Sequence, residues 1–184
     1  MSTSSVPLQR RCMAIELLIV DVDGVLTPGA IIYADSGAEV KQFHVRDGSG
    51  LKLWQQAGKQ AAIITGRSSP IVDLRARELG IAPVVQGATD KLQGFREVVN
   101  QTGRHPEQIC YIGDDLPDLP VLRACGLAVA VADACPEVLA EAHYVARATG
   151  GNGAVREVIE VILRCQDRWQ PIVERFGAAR LPDR

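Results

Sequence analysis

Short apolar runs alternate along the chain with longer stretches in which apolar residues recur every three or four positions. Four runs are apolar at every position, and they lie at 17–20, 61–64, 109–112 and 127–131. Runs of this length, apolar on both faces, are typical of central strands in a parallel sheet. Because the stretches between them have a helical period, the chain predicts an α/β fold with a doubly wound, mostly parallel sheet.

Three of the predicted helices have recognisable limits. Ser69 and Pro70 form a cap followed by proline at the first helical position, and Gly80 is a natural end. A second helix is expected over 90–102, where Gly103 follows. The third is predicted by apolar residues at helical spacing, namely Val155, Val158, Ile159 and Ile162.

Residues 29–46 interrupt this alternation directly after the first strand. Two partly apolar segments flank a polar turn at 35–37, which predicts a β-hairpin. We expect one domain over 1–184 with a core at about 13–165. The N-terminal arm 1–12 and the C-terminal tail 170–184 are expected to be loosely held.

The composition of the chain limits which partners and which cellular compartment we expect for the protein. The net charge of −2 favours neither nucleic acid nor an acidic membrane as a partner. No apolar stretch approaches the length of a membrane span, and the run at 15–20 is too short for a signal-peptide core. Five cysteines without a CxxC spacing fit neither a disulfide framework nor a zinc site, so we expect a cytoplasmic protein.

Polar residues follow the predicted strands at the points where the strands end. Asp21 and Asp23 follow the first strand, Thr65-Gly66 follows the second, and Asp114-Asp115 follows the run at 109–112. Lys91 opens a helix. Because ligands of parallel sheets bind at the carboxyl ends of the strands, we expect these groups to converge on one rim.

Carboxylates gathered in this way repel one another unless a cation lies between them. Oxygen ligands beside a phosphate favour Mg²⁺, for which we expect Asp21, the backbone carbonyl of Asp23 and Asp114 as ligands. A carboxylate can attack phosphorus and form an aspartyl-phosphate. The set therefore predicts a magnesium-dependent phosphomonoesterase.

Each group can be given a role in that chemistry. Asp21 is predicted to be the nucleophile, and Asp23 the acid that protonates the leaving group and then the base that activates water. Thr65 and the amides after it, beginning with Gly66, are expected to hold phosphoryl oxygens. Lys91 would neutralise charge in the transition state.

Two further acids, Asp115 and Asp118, are expected to orient Lys91 and metal-bound water. Each motif alone also has a purely structural interpretation, as a turn, a helix cap or a solvated lysine. The four motifs in this order, each at a strand end, make that interpretation a poor one.

These motifs match those of the haloacid dehalogenase superfamily, and the third motif resembles that of its phosphatases. The chain is most similar to a capless branch that acts on eight-carbon sugar-acid phosphates. Stretches that carry the closer resemblance are 45–48, 63–68, 86–87, 129–134 and 150–157.

The resemblance implies a fold without a cap domain, in which the hairpin joins four copies and a neighbouring copy closes each active site. The sequence agrees, since the hairpin carries apolar residues that need a partner surface. They are Ile31, Ile32, Tyr33, Val40, Phe43 and Val45.

The resemblance also implies an 8-phosphate of an eight-carbon sugar acid as substrate, bound by Arg46, Gly66, Arg67 and Arg75. A sister branch that hydrolyses 9-phosphates of sialic-type sugars carries Glu at the position of Arg67 and Lys at that of Glu78. The 9-phosphate is the alternative substrate.

Two hypotheses outside this enzyme class stay open. A response-regulator receiver domain also combines acids, Thr and Lys on a doubly wound sheet, but there the phosphorylated aspartate follows a central strand. The second is a catalytically silent regulatory domain of the same fold, which the presence of Asp21, Asp23, Lys91 and Asp114 disfavours.

Overall fold

The computed structural model describes residues 6–177, which form a six-stranded parallel sheet with helices on both faces and a separate hairpin. Its strands are β1 (Leu17–Val20), β2 (Ile32–Tyr33), β3 (Glu39–Val40), β4 (Gln60–Ile64), β5 (Val84–Val85), β6 (Ile109–Gly113), β7 (Leu127–Ala130) and β8 (Tyr144–Val145). Its α-helices are α1 (Leu8–Ala14), α2 (Val45–Gln56), α3 (Pro70–Leu79), α4 (Lys91–Thr102), α5 (Leu119–Ala124), α6 (Pro136–Glu141), α7 (Ala154–Cys165) and α8 (Trp169–Gly177). The predicted α/β fold class is confirmed.

The sheet is centred on β1, whose four residues are all buried. Its strand order is β5-β4-β1-β6-β7-β8, and β1 pairs in parallel with both β4 and β6. The four strands predicted from apolar runs are present. The two edge strands β5 and β8 were not predicted, because two residues are too few to show a period.

The connections leave β1 and β6 in opposite directions. From β1 the chain moves outward to β4 and β5, whereas from β6 it moves outward to β7 and β8 on the other side. Right-handed crossovers therefore put α2 and α3 on one face and α4, α5 and α6 on the other. The gap between the ends of β1 and β6 is the topological switch point, where ligands of open α/β sheets bind.

The hairpin is present after β1, but it is shorter than predicted. Only Ile32–Tyr33 and Glu39–Val40 pair, with Ile32 opposite Val40. Val45 and Arg46 belong to the first turn of α2 rather than to a strand. The helix packs closely on α7, since a side chain at Gly50 in α2 would touch the Cα of Arg156. This packing favours helix rather than strand at 45–46.

The terminal segments 1–12 and 170–184 were expected to be loosely held, but their described parts pack against the core. Cys12 in α1 is fully buried, and Trp169 and Ile172 of α8 are buried three residues apart, on one face of the helix. Arg156 and Arg164 both lie over the Trp169 ring. Residues 1–5 and 178–184 lie outside the described part.

Nothing in the region 6–177 forms a separate domain above the sheet, as expected of a capless fold. Within the same region, no helix combines the length and the apolar character that crossing a membrane requires. One hydrophobic cluster runs from Cys12 to Ile172. The carboxyl edge of the sheet is thus covered mainly by loops and by the hairpin.

Asp47 fastens α2 to the amino end of α7, and its removal should destabilise the fold. Its side chain is buried and accepts hydrogen bonds from the amides of Gly153 (3.1 Å) and Arg156 (2.8 Å). We expect Asp47→Ala to lower the free energy of unfolding by about 2 kcal/mol in urea titrations. The control is Asp35→Ala in the exposed hairpin turn, and equal stability of the two variants would contradict this role.

Candidate active site

A pocket of about 300 Å³ opens at the carboxyl ends of β1, β4 and β6. Its walls bring together residues from all four sequence motifs, as predicted from the strand ends. They are Asp21, Asp23, Thr65, Gly66, Arg67, Ala88, Thr89, Lys91, Asp114, Asp115 and Pro117.

Asp21 is the first residue after β1, and both of its carboxylate oxygens are held. Oδ1 accepts a hydrogen bond from the amide of Val22, and Oδ2 accepts one from Lys91 Nζ, each at 2.6 Å. Burial raises the pKa of Asp21 to about 6, against the opposing effect of the Lys91 ammonium. The carboxylate is therefore fixed in place at the floor of the pocket.

A kinked turn over Val22–Leu26, whose backbone is non-helical at Asp23 and Gly24, follows Asp21. Gly24 adopts a φ of 90° there, and a side chain at this position would overlap the Asp114 carboxylate. The turn places Asp23 higher in the pocket, where its side chain is 18% exposed. Asp23 is therefore more accessible to a leaving group and to water than Asp21.

Lys91 lies between two buried carboxylates. Its Nζ donates hydrogen bonds to Asp21 Oδ2 and to Asp118 Oδ1, both at 2.6 Å. Burial opposes the charge on Lys91, but the two carboxylates outweigh that effect and raise the pKa of the ammonium. Lys91 is thus a permanent cation beside the predicted nucleophile.

Asp118 is fully buried, and it is in contact with Lys91. Besides Lys91, it accepts hydrogen bonds from the hydroxyl of Tyr111 (2.6 Å) and the amide of Asp114 (2.9 Å). Asp115 instead lies exposed at the rim, where its amide reaches Asp118 at 3.2 Å. Among the acids predicted to orient Lys91, Asp118 has that contact.

Sequence reasoning did not identify Tyr111 as part of the site. The residue was read as one apolar position of the β6 run, and its ring is indeed fully buried. A signal was available, because the hydroxyl of a buried tyrosine needs a hydrogen-bond partner.

Asp114 carries a polar atom that has no partner among residues 6–177. Its Oδ1 is buried without a hydrogen bond. Oxygens of Asp21, Asp114 and Asp118 lie within 4.8 Å of one another. Burial, and then the neighbouring carboxylates, raise the pKa of Asp114 to about 7. A small divalent cation with oxygen ligands fits this arrangement, and it would supply the missing partner.

Asp114, one of the three predicted metal ligands, differs from Asp118 in that its Oδ1 has no hydrogen-bond partner among residues 6–177. Asp118 is occupied by Lys91, Tyr111 and backbone amides, so it has less capacity for a cation. The contribution of the Asp23 backbone carbonyl stays a prediction.

Thr65 and Arg67 also line the pocket. Thr65 is buried directly after β4, and its amide donates to the carbonyl of Val85 at 2.9 Å. Arg67 is 45% exposed at the mouth, where Nη2 donates to Glu39 Oε1 of the hairpin at 2.9 Å. The hairpin therefore reaches the mouth of the pocket within one chain.

Two of the residues predicted to bind substrate do not line this pocket. Arg75 lies in another hollow of about 410 Å³, with its guanidinium 5.6 Å from the centre of the Phe43 ring. Arg46 lines a third hollow of about 610 Å³ beside Arg147 and Arg156. Within a single chain, the expectation that they contact the substrate is not met, because α2 and α3 direct them to other surfaces.

Comparisons with known sequences and with solved structures identify the same family of proteins. A sequence model described as haloacid dehalogenase-like hydrolase matches residues 76–159. A 3-deoxy-D-manno-octulosonate 8-phosphate phosphatase from Yersinia pestis is 48% identical over 159 residues, which cover 86% of this chain and 85% of the relative.

Solved structures agree with the sequence match. A phosphatase of the same name from Moraxella catarrhalis, in complex with magnesium, phosphate and KDO, has a TM-score of 0.89 at 44% identity and covers 91% of this chain and 97% of its own. The cobalt-bound enzyme from Haemophilus influenzae has a TM-score of 0.83 at 42% identity, covering 85% and 92%.

The fixed carboxylate of Asp21 leads to a first test of the site. Asp21→Asn should reduce phosphate release to below about one hundredth of wild type, since an amide cannot form the aspartyl-phosphate. The matched control is Asp167→Asn on the exposed surface after α7, which should keep full turnover. Retained turnover in a folded Asp21→Asn protein would overturn the assignment of the nucleophile.

The unpartnered oxygen of Asp114 leads to a second test. Chelation should abolish phosphate release, Mg²⁺ should restore it, and the larger Ca²⁺ should not. Asp114→Asn should raise the Mg²⁺ concentration for half-maximal activity by about tenfold or more. Activity that survives exhaustive chelation would contradict the metal site.

Proposed function

The chain belongs to the haloacid dehalogenase-like hydrolases, and from this premise we propose that it hydrolyses 3-deoxy-D-manno-octulosonate 8-phosphate. The products are the free sugar acid and inorganic phosphate. The observation that carries the proposal is the pocket in which Asp21, Lys91 and Asp114 meet. The choice of substrate is supported by relatives of that name that match most of the chain.

In the first half of the reaction, an oxygen of Asp21 attacks phosphorus and the bond to the sugar oxygen breaks. Asp23 gives its proton to that oxygen, so the sugar leaves as a neutral alcohol. Lys91 stays protonated and opposes the charge that builds on the phosphoryl group. Asp118 keeps the Lys91 ammonium directed at the nucleophile, since it is fully buried and cannot move away.

In the second half, Asp23 removes a proton from water as the water oxygen bonds to phosphorus. The bond between phosphorus and Asp21 breaks, which regenerates the carboxylate and releases phosphate. Asp23 thus ends the cycle protonated, ready for the next substrate. Its position above Asp21 lets one carboxyl group serve both steps.

The cofactor is Mg²⁺, with Asp21 and Asp114 as carboxylate ligands and the carbonyl of Asp23 as the third protein ligand. When bound, it neutralises phosphate charge that would otherwise repel the Asp21 carboxylate. The hydroxyl of Thr65 and the amide of Gly66 hold phosphoryl oxygens. Arg67, at the mouth, is placed to meet the sugar acid.

A homotetramer with shared active sites extends the proposal. The hairpin exposes apolar side chains on both strands, and Tyr33 is 62% exposed. Val45, just beyond it, is 78% exposed and lines the same hollow as Arg75 and Phe43. A second copy seated there would bury these side chains, and its pocket would bring Arg75 near a substrate.

A cytoplasmic location is also proposed. The five cysteines are all free in the described chain, and a reducing compartment preserves free thiols. Small-molecule sugar-acid phosphates are the expected partners, and neither nucleic acid nor a membrane is part of the proposal.

Phosphate release across a panel of sugar phosphates tests the substrate. We expect kcat/KM for the eight-carbon 8-phosphate to exceed that for a sialic-type 9-phosphate by about tenfold or more, because the branch that acts on 9-phosphates carries Glu where this chain has Arg67. Glucose 6-phosphate, which lacks a carboxylate, is the control. A higher value for the 9-phosphate would assign the chain to the alternative substrate.

Disruption of the hairpin surface tests the assembly. The double variant Ile32→Asp and Val40→Asp places two like charges on facing apolar residues of the hairpin. A second copy could not bury these charges, so light scattering should show monomers. Turnover of the sugar phosphate should fall, whereas small aryl phosphates should still react. Val173→Asp, on the exposed face of α8, is the matched control. A monomeric wild type would refute the shared site.

A further inference from the structure

Lys41, which follows the second hairpin strand, has a role that the mechanism above does not use. Its Nζ lies 2.6 Å from Asp23 Oδ1 and 3.3 Å from Glu39 Oε1. Only 2% of the side chain is exposed. A buried ammonium is therefore in direct contact with the group that transfers protons.

The contact distinguishes the two oxygens of Asp23. Oδ1 accepts from Lys41 at 2.6 Å and lies 3.4 Å from the hydroxyl of Thr27. Oδ2 lies 3.6 Å from Arg67 Nε at the mouth of the pocket. One oxygen is thus anchored from the hairpin side, and the other is left for the leaving group and the water.

Lys41 does not have the features of a substrate-binding cation. It is enclosed, it is already paired with two carboxylates, and it is not among the residues that line the pocket. Arg67 has those features, because it is half-exposed at the mouth. The remaining alternative is that Lys41 only secures the hairpin to the body of the protein.

We propose that Lys41 is a positioning residue that fixes the Asp23 carboxyl group with Oδ2 directed at the reacting atoms. This inference rests on the proposed function. In the first step Oδ2 loses its proton to the leaving oxygen, and in the second it takes one from water. Lys41 takes no part in the proton transfer itself and touches neither substrate nor phosphate. Proton transfer of this kind requires hydrogen-bond reach, which a rotating carboxyl group would lose.

The test compares Lys41→Met with wild type on a poor and a good leaving group. For the sugar phosphate, which needs an acid, kcat should fall about 100-fold while KM changes less than about twofold. For p-nitrophenyl phosphate, the first turnover should stay within about threefold of wild type, because nitrophenolate leaves without a proton. Slow hydrolysis of the aspartyl-phosphate should then give a burst of nitrophenolate equal to the number of active sites.

The control variant is Lys52→Met, which removes a lysine of α2 that binds the backbone carbonyl of Glu78 and lies outside the pocket. It should show neither the fall nor the burst. Lys41→Gln keeps a donor for Oδ1, and it should recover a large part of kcat. If Lys41→Met does not fold, Lys41→Ala, which also lacks a donor for Oδ1, replaces it in every assay.

Two results would overturn the inference. Equal losses on both substrates without a burst would mean that Lys41 only supports the fold, and a change confined to KM would make it a substrate-binding residue. If wild type hydrolysed only the aryl phosphate, the proposed substrate would be wrong, yet the presence or absence of the burst would still decide the role of Lys41.

Discussion

One ammonium shared by two buried carboxylates is the interaction on which the site depends. Asp21 and Asp118 come from different loops, and each would be costly to bury alone. Lys91 makes both acceptable, since it reaches each at 2.6 Å from the first turn of α4. The ends of β1 and β6 and the start of α4 must therefore meet at one point, and the parallel sheet with its switch point provides that meeting.

The hairpin adds two further ion pairs, which lie nearer to the mouth of the pocket. Its Glu39 pairs with Arg67, and Lys41 pairs with Asp23. Both contacts are formed within one chain, although the apolar side of the hairpin faces outward. One small insertion thus contacts both Asp23 and Arg67, while its apolar side chains stay exposed in the single chain.

The fold could be predicted largely because its central strands are apolar on both faces and its helix caps are explicit. Ser69 accepts from the amide of Ile71 as a predicted cap, and Asp90 accepts from the amide of Leu92 at the start of α4. The prediction failed for elements whose local sequence pattern is too short to identify them. These are the two-residue edge strands β5 and β8, and α8, which has two buried residues. Tertiary packing decided those elements.

The motif residues of the candidate site could also be predicted from the sequence, because they follow recognisable strands. Strand ends converge in any parallel sheet, so Asp21, Thr65 and Asp114 could be placed without a structure. Lys41 could not, because nothing in the sequence sets the direction in which a hairpin lysine points. Arg46 and Arg75 were expected at the substrate from the resemblance, but within one chain they line other hollows, and their role in substrate binding stays a prediction.

The arrangement around Asp118 has a consequence for how the protein handles its cofactor. Asp118 is fixed by Lys91, Tyr111 and backbone amides, so the frame of the site is complete from protein groups alone. Among the described residues that line the pocket, Asp114 has a buried oxygen, Oδ1, without a hydrogen-bond partner. Binding or release of an ion there would then leave the hydrogen bonds around Asp118 intact.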